Sequence, residues 1–533
     1  MVPHDTHDFV VVGAGSAGAV LAARLSENGR YSVLLLEAGP KDRSPWIHLP
    51  MGYGKTMFHP VLNWRFLTEP ESEMGNRRIY WPRGRCLGGS SAINGLIYIR
   101  GQSEDYDHWA QLGNPGWSWK EVLPYFMKAE GNARGDDAYH NSRGPLKVSD
   151  IADPHLLMEA IIQASEFMGV PYNGDFNGKC QEGVGYYQLT THRGIRCSSA
   201  SAYLRPARSR PNLRIREKAH VTRLTISGTH ITGVEYQQGG DLHHVCAAKE
   251  VLLCAGAIQS PQLLELSGVG NAAHLAAHGI RVFHHLPGVG ENLQDHLQLR
   301  MMFEVSRPVT TNDDLRTWFG RTRIGLKWLL ARKGPLAIGI NQGGLFTRVM
   351  PGATRPDIQF HFGTISADAA GDKPHPWSGC TFSVCQLRPE SSGSVHIKTA
   401  DARVPPSIRP NYLSAEADRA VAVRALRFGR MLAAAPPLRP LLMDEYRPGA
   451  TVRADDELLQ FARDHGASIF HPVGTCRMGS DPGAVVDARL RVRGMSGLRV
   501  VDASIMPKLV SGNTHAPTVM IAEKAAEMIL ADQ

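Results

Sequence analysis

The pattern with the most immediate chemical meaning is Gly13-Ala14-Gly15-Ser16-Ala17-Gly18, placed directly after the apolar run Phe9 to Val12. Glycines at its first, third and sixth positions permit a tight turn, a close backbone approach to a pyrophosphate, and close packing of helix on strand. Ala19 to Ala23 and Leu25 then read as one packed helix face, and a second apolar run, Val33 to Leu36, ends in Glu37. Strand, glycine turn, helix, strand and acid in this order form a dinucleotide cradle with the helix N-terminus toward the phosphates. Glu37 follows Gly18 at about the 20-residue spacing from which a carboxylate accepts the ribose hydroxyls. That carboxylate argues against a 2′-phosphate, and so against NADP. The motif alone does not separate FAD from NAD.

Two segments near the end of the chain carry candidate proton carriers. His471-Pro472-Val473-Gly474-Thr475-Cys476-Arg477-Met478-Gly479 reads as a glycine-bounded loop. Ser511 to Pro517 opens an apolar helix running to about Leu530, with Asn513 or Thr514 as its cap, Pro517 in its first turn and His515 beside them. A neutral imidazole near its free pKa accepts a proton at working pH. The chain has 23 histidines, and most of them, including His4, His7, His243, His244, His284 and His285, read as surface or core residues. A third stretch, Gly88-Gly89-Ser90-Ser91, suits either a turn that presents N–H groups to an anion or flat ring, or an ordinary helix cap.

The elements that must position these residues belong to an α/β chain of 533 residues, longer than one comfortable core. Its 43% hydrophobic and 20% charged content carries no sign of disorder. Alternating runs at Ile358 to Phe362 and Cys380 to Leu387 predict an antiparallel sheet within a region, 301 to about 461, that lacks dinucleotide motifs. Gly39 to Trp81, dense in Gly, Pro and aromatics, is a candidate lid. The net charge of +8 is spread along the chain without a basic block, which argues against nucleic acid and leaves loose attraction to an anionic membrane open. Eight cysteines without a C-x-x-C pair predict neither a metal site nor a disulfide framework. No apolar stretch is long enough to span a bilayer, and Met1 to Asp8 lacks the form of a secretory leader, so the cytoplasm is the expected setting.

The segments Trp81 to Gly95 and Gly256 to Gly270 resemble the two signatures of the glucose–methanol–choline (GMC) oxidoreductases. With the N-terminal glycine turn and the C-terminal histidines they stand in that family's order, so the resemblance spans nearly the whole chain. It looks most like bacterial choline, alkanol and polyethylene glycol dehydrogenases and hydroxymethylfurfural oxidases. The resemblance implies a Rossmann-like FAD-binding domain from 1–155, 190–300 and 462–533, interleaved with a substrate domain from 156–189 and 301–461. It implies FAD held by Gly13, Gly15, Ser16, Ala17, Gly18, Glu37, Ala38, Gly84, Gly89, Ser90, Asn94, Gly95, Ile97, Val221, Ala255, Gly256, Asp502, Ala503 and Thr518. Some relatives attach FAD through a histidine just before the residue matching Asn94. Ile93 stands there, so FAD is expected to be non-covalent.

By the same resemblance, a primary alcohol loses its hydroxyl proton to His471 as its α-hydride leaves for flavin N5. His515 is the hydrogen-bonding partner that holds the alcohol oxygen; the chain resembles glucose oxidase in having histidine where many bacterial relatives have asparagine, which leaves open which of the two histidines takes the proton. The helix that follows would direct its N-terminus at the negative charge on reduced flavin. Oxygen or a quinone-type compound would be the electron acceptor. The alternatives are a lyase or light-driven decarboxylase on the same fold, and a flavin redox sensor without catalysis.

Overall fold

The computed structural model describes residues 5–369 and 371–533; His4, grouped above with the histidines lacking a task, lies outside the described residues. The apolar runs of the glycine motif form the centre of a seven-stranded sheet. Its order is Leu213–Glu217, Val33–Glu37, Asp5–Val12, Asp241–Leu253, His230–Gln238 and His220–Ser227, with Leu498–Val500 also paired to Asp241–Leu253. The first four strands and Leu498–Val500 are parallel, while the His230–Gln238 and His220–Ser227 strands are antiparallel. Parallel strands are covered on both faces, which explains why Phe9 to Val12 and Val33 to Leu36 are unbroken apolar runs buried throughout. Helices Ser16–Leu25 and His515–Ala531 pack against each other, so the two ends of the chain meet at the glycine turn.

A second seven-stranded sheet is antiparallel. Its order is Leu442–Arg447, Leu297–Val305, Gly379–Gln386, Ile358–Gly363, Asn341–Thr347 and Gly183–Tyr186, with Ala467–Ser468 added to Leu297–Val305. One face, carrying Met301, Phe303, Phe360, Phe382 and Val384, packs into a core that includes helix Glu416–Ala434. The other face carries Arg300, Ser383 and His361 in register across three strands and lines a cavity. Ile358–Gly363 is therefore buried at every position, because core covers one side and the cavity wall the other. Alternation in the sequence marks the strand without telling which polar residues face a site.

The Gly39 to Trp81 segment contains three short helical turns, Pro45–His48, Pro50–Gly52 and Tyr53–Thr56, and Trp46, Met51 and Tyr53 line the same cavity. All eight cysteines are free, six of them buried. Among the described residues no helix is long and apolar enough to cross a membrane.

Candidate active site

The glycine spacing has a direct steric cause. Gly13 has φ +97°, and a Cβ on it would lie 2.6 Å from the Cys254 carbonyl oxygen. A Cβ on Gly18 would lie 1.9 Å from the carbonyl oxygen of Gly13, so turn and helix close only over hydrogen. The second glycine turn meets the first: Gly89 has φ +51°, and a Cβ there would fall 2.6 Å from the Cα of Gly15. Glu37 accepts the N–H groups of Ala14 (2.9 Å) and Gly39 (2.8 Å), and burial pushes its pKa up to about 7 against those bonds. Asp502 accepts from Gly256 N–H (2.8 Å), Ser260 Oγ (2.6 Å) and Ser504 N–H (2.8 Å). It thereby ties the start of helix Gly256–Leu266 to the loop after Leu498–Val500. Arg196, buried and not anticipated from sequence, donates to Ser91 O (3.2 Å), Asn94 Oδ1 (2.6 Å) and Asn94 O (2.7 Å), bracing the second turn.

These parts surround one cavity of about 1490 Å³ between the two sheets. Of the cofactor and catalytic residues named from sequence, all but Gly18 line it; Gly18 packs behind the turn. The floor holds a histidine cluster. His471 Nδ1 lies 3.0 Å from His296 Nδ1, and His296 Nε2 lies 2.9 Å from the Leu387 carbonyl oxygen. A carbonyl oxygen only accepts, so His296 carries its proton on Nε2 and a lone pair on Nδ1. His471 then donates from Nδ1, leaving the Nε2 lone pair toward the cavity. Burial lowers the pKa of His296 to about 4 and that of His361 to about 3. His471 is pushed well below its usual value by burial first, then by His296, His361 and Arg83.

The backbone fixes His471 as firmly as its ring. Its N–H donates to Asp295 Oδ1 (2.7 Å), and Asp295 also accepts from Ser468 Oγ (2.6 Å) and the Tyr412 hydroxyl. Phe470, immediately before it, sits at φ +71°, an unfavourable region for a bulky residue. The Phe470 N–H donates to Ser468 Oγ (2.7 Å), and its carbonyl accepts from Arg83 (2.5 Å), which hold the conformation.

The partner on the other side of His471 is Asn513, whose Nδ2 lies 3.2 Å from His471 Nε2. Gln359 Nε2 donates to Asn513 Oδ1 (3.3 Å), which orients the amide with its NH₂ toward the imidazole. His515, expected to hold the alcohol oxygen, makes no hydrogen bond to His471 among the described residues. His515 is the first residue of helix His515–Ala531 and turns to the glycine cradle, its Nδ1 3.0 Å from Ser16 Oγ. Burial and then Arg196 lower its pKa to about 4. Two positions apart across the helix start, Asn513 and His515 face different walls of the cavity. Thr514 is the residue that precedes the helix, and it makes no side-chain cap bond.

Among the described residues, polar atoms of two cavity-lining side chains lack a hydrogen-bond partner: both ring nitrogens of His361 and Nε2 of His515. Buried polar atoms normally find partners, so these fit a site completed by a polar ligand. With the two glycine turns at closest approach, they match a flat, pyrophosphate-bearing group such as FAD.

The GMC oxidoreductase models match residues 7–298 and 389–522. The chain is 44% identical over 98% of its length to an alcohol dehydrogenase (acceptor) of Pseudomonas putida, covering 96% of that protein. It is 45% identical over 99% of its length to the mitochondrial choline dehydrogenase of Mus musculus, covering 90% of that protein. Pyridoxine 4-oxidase from Mesorbium loti superposes with a TM-score of 0.89 at 32% identity, covering 98% of each chain. The chain belongs to the GMC oxidoreductase family.

Proposed function

We propose that the protein oxidises an alcohol to a carbonyl compound with FAD held non-covalently between the two glycine turns. His471 acts as the base and Asn513 as its hydrogen-bonding partner. The observation that carries this reading is the directed relay Leu387 O, His296, His471, which leaves an unprotonated Nε2 facing the cavity. Bound FAD supplies the two-electron acceptor for the α-hydride. His471 Nε2 takes the hydroxyl proton, and the Asn513 amide, freed from that nitrogen, steadies the alcohol oxygen. Thr514, His515 and Thr518 bring the start of the last helix to the cavity, where its dipole favours negative charge. The strands of the antiparallel sheet supply the substrate wall.

The far end of the substrate is read from Arg300. Its guanidinium lines the cavity and makes no side-chain hydrogen bond among the described residues; of the carboxylates whose charge it feels, Asp368 is held by Arg447 (2.9 Å) and Asp372 accepts from Ala369 N–H (3.0 Å). A quaternary ammonium would meet this guanidinium, so the substrate is a primary alcohol with a neutral or anionic remainder. The test is the visible spectrum of the purified flavoprotein under anaerobic conditions with a panel of alcohols. Bleaching by neutral or carboxylate-bearing alcohols supports the proposal, and admitting air or a quinone then identifies the acceptor. Bound flavin that no alcohol bleaches overturns it.

A further inference from the structure

Helix Trp318–Ala331 presents an apolar stripe to solvent. Trp318 is 80% exposed, Phe319 72%, Leu326 50%, Leu329 59% and Leu330 81%. At 100° per residue these five side chains fall within about 120° of arc, so they form one stripe and not a scatter. The opposite side, with buried Gly320 and Ile324 and with Trp328 bonded to Gly194 O (2.9 Å), is the face that holds the helix to the protein. An ordinary surface helix has one apolar face. This one has two, and only one of them is covered.

Charge borders the uncovered stripe. From Arg316 to Lys333 the sequence has six basic residues and no acidic one. Arg323 and Lys327 flank one side of the stripe and Arg321 the other. Arg323 is paired with Asp314 and Lys327 with Asp153 (2.6 Å), whereas Arg321, Arg332 and Lys333 have no carboxylate partner among the described residues. At 14 residues the helix is about 21 Å long, too short to cross a hydrocarbon core of about 30 Å. Aromatic and leucine side chains between basic rims are the pattern of a helix lying in the plane of a membrane surface. A second copy of the chain fits less well, because joining two stripes would set their basic rims together.

We infer that helix Trp318–Ala331 docks the protein in-plane on an anionic lipid bilayer. Arg321 and Ile324 of this helix, with Leu315 just before it, also line the cavity, so docking sets that side of the cavity at the lipid surface. Trp318, Phe319 and Leu330 enter the interface, and Arg321 and Lys333 meet the phosphate headgroups.

The experiment is flotation of the full-length flavoprotein with vesicles of phosphatidylcholine alone or mixed with phosphatidylglycerol. Wild type should float with the anionic vesicles, weakly with the neutral ones, and less as salt is raised. The double variant Phe319→Glu/Leu330→Glu should bind roughly tenfold or more weakly. Lys333→Gln should bind about fivefold more weakly, the effect of one basic residue at an anionic surface. Unchanged melting temperature and flavin content in both variants show that the fold is intact. Equal binding of wild type and double variant, or binding indifferent to lipid charge, would overturn the inference. So would a wild type that ignores vesicles but sediments as a dimer which the double variant dissolves.

Discussion

The glycine cradle and the histidine cluster face each other across one cavity, yet they are specified in different ways. The cradle is a matter of excluded volume: Gly13, Gly18 and Gly89 are glycines because a single added carbon would overlap backbone atoms at 2.6, 1.9 and 2.6 Å. Within each turn the residues are neighbours in sequence, and for the first turn the spacing itself records the shape. The cluster is a matter of side-chain direction. His296, Gln359, His361, His471 and Asn513 come from four separated segments and meet only when the antiparallel sheet forms. A steric device tolerates almost no substitution. A hydrogen-bonded one degrades in steps, according to which proton position is lost.

The largest break in that comparison comes from removing the base. His471→Ala should lower the rate of flavin reduction by about a thousandfold while flavin content stays near wild type, measured by stopped-flow absorbance. Turnover close to wild type would place the base elsewhere. On the cradle side, Gly18→Ala sets a methyl group against the Gly13 carbonyl and should destabilise the fold by about 1–3 kcal/mol, with loss of bound flavin. Thermal melting and the flavin-to-protein absorbance ratio report both effects. A stable, fully loaded Gly18→Ala protein would contradict the steric account.

A subtler break separates position from proton placement. His296→Leu leaves His471 Nδ1–H without its acceptor and frees the tautomer, so kcat should fall about tenfold or more with KM little changed. A change confined to KM would make His296 a part of the substrate wall.

The pH dependence sharpens the same point. His471 is a base only when neutral, and its pKa lies well below the usual value, so kcat/KM should stay level through neutrality and decline only well below pH 6.5. An acid limb centred at or above 6.5 would show that the imidazole is solvated in the working enzyme. Stability should move with it. His296, His361 and His515 titrate at about 4, 3 and 4 when folded, below the unfolded value of about 6.5. Between those limits the unfolded chain binds more protons than the folded one, so acidification from pH 6.5 toward 4 favours unfolding. The melting temperature should therefore fall across that window, and less so in His361→Phe.

The first glycine turn and the strand end at Glu37 were legible because local spacing and apolar runs encode them, whereas Val221 and Asp502 came only from the resemblance to the GMC family. His471 was legible through its loop motif. Asn513 stood in the quoted segment but was read as a cap, and the helix start explains why. The sequence marks where the helix begins, and it does not say which of two residues, Asn513 or His515, turns toward which sheet. His296 and His361 gave less signal still, since each is one histidine in a strand or before one, among 23 in the chain. Arg300 looked like any charge in a half-buried strand until the register set it beside Ser383 on the cavity face.

In the proposed assignment His471 works with Asn513, while His515 serves the glycine cradle. The most direct test compares anaerobic flavin reduction by one alcohol in Asn513→Ala and His515→Ala, each checked for bound FAD. The account predicts that Asn513→Ala keeps its flavin and reduces it about ten- to a hundredfold more slowly. It predicts that His515→Ala binds FAD more weakly but reduces what it holds at a rate near wild type. Slow reduction in fully loaded His515→Ala, with near-normal reduction in Asn513→Ala, would reverse the assignment.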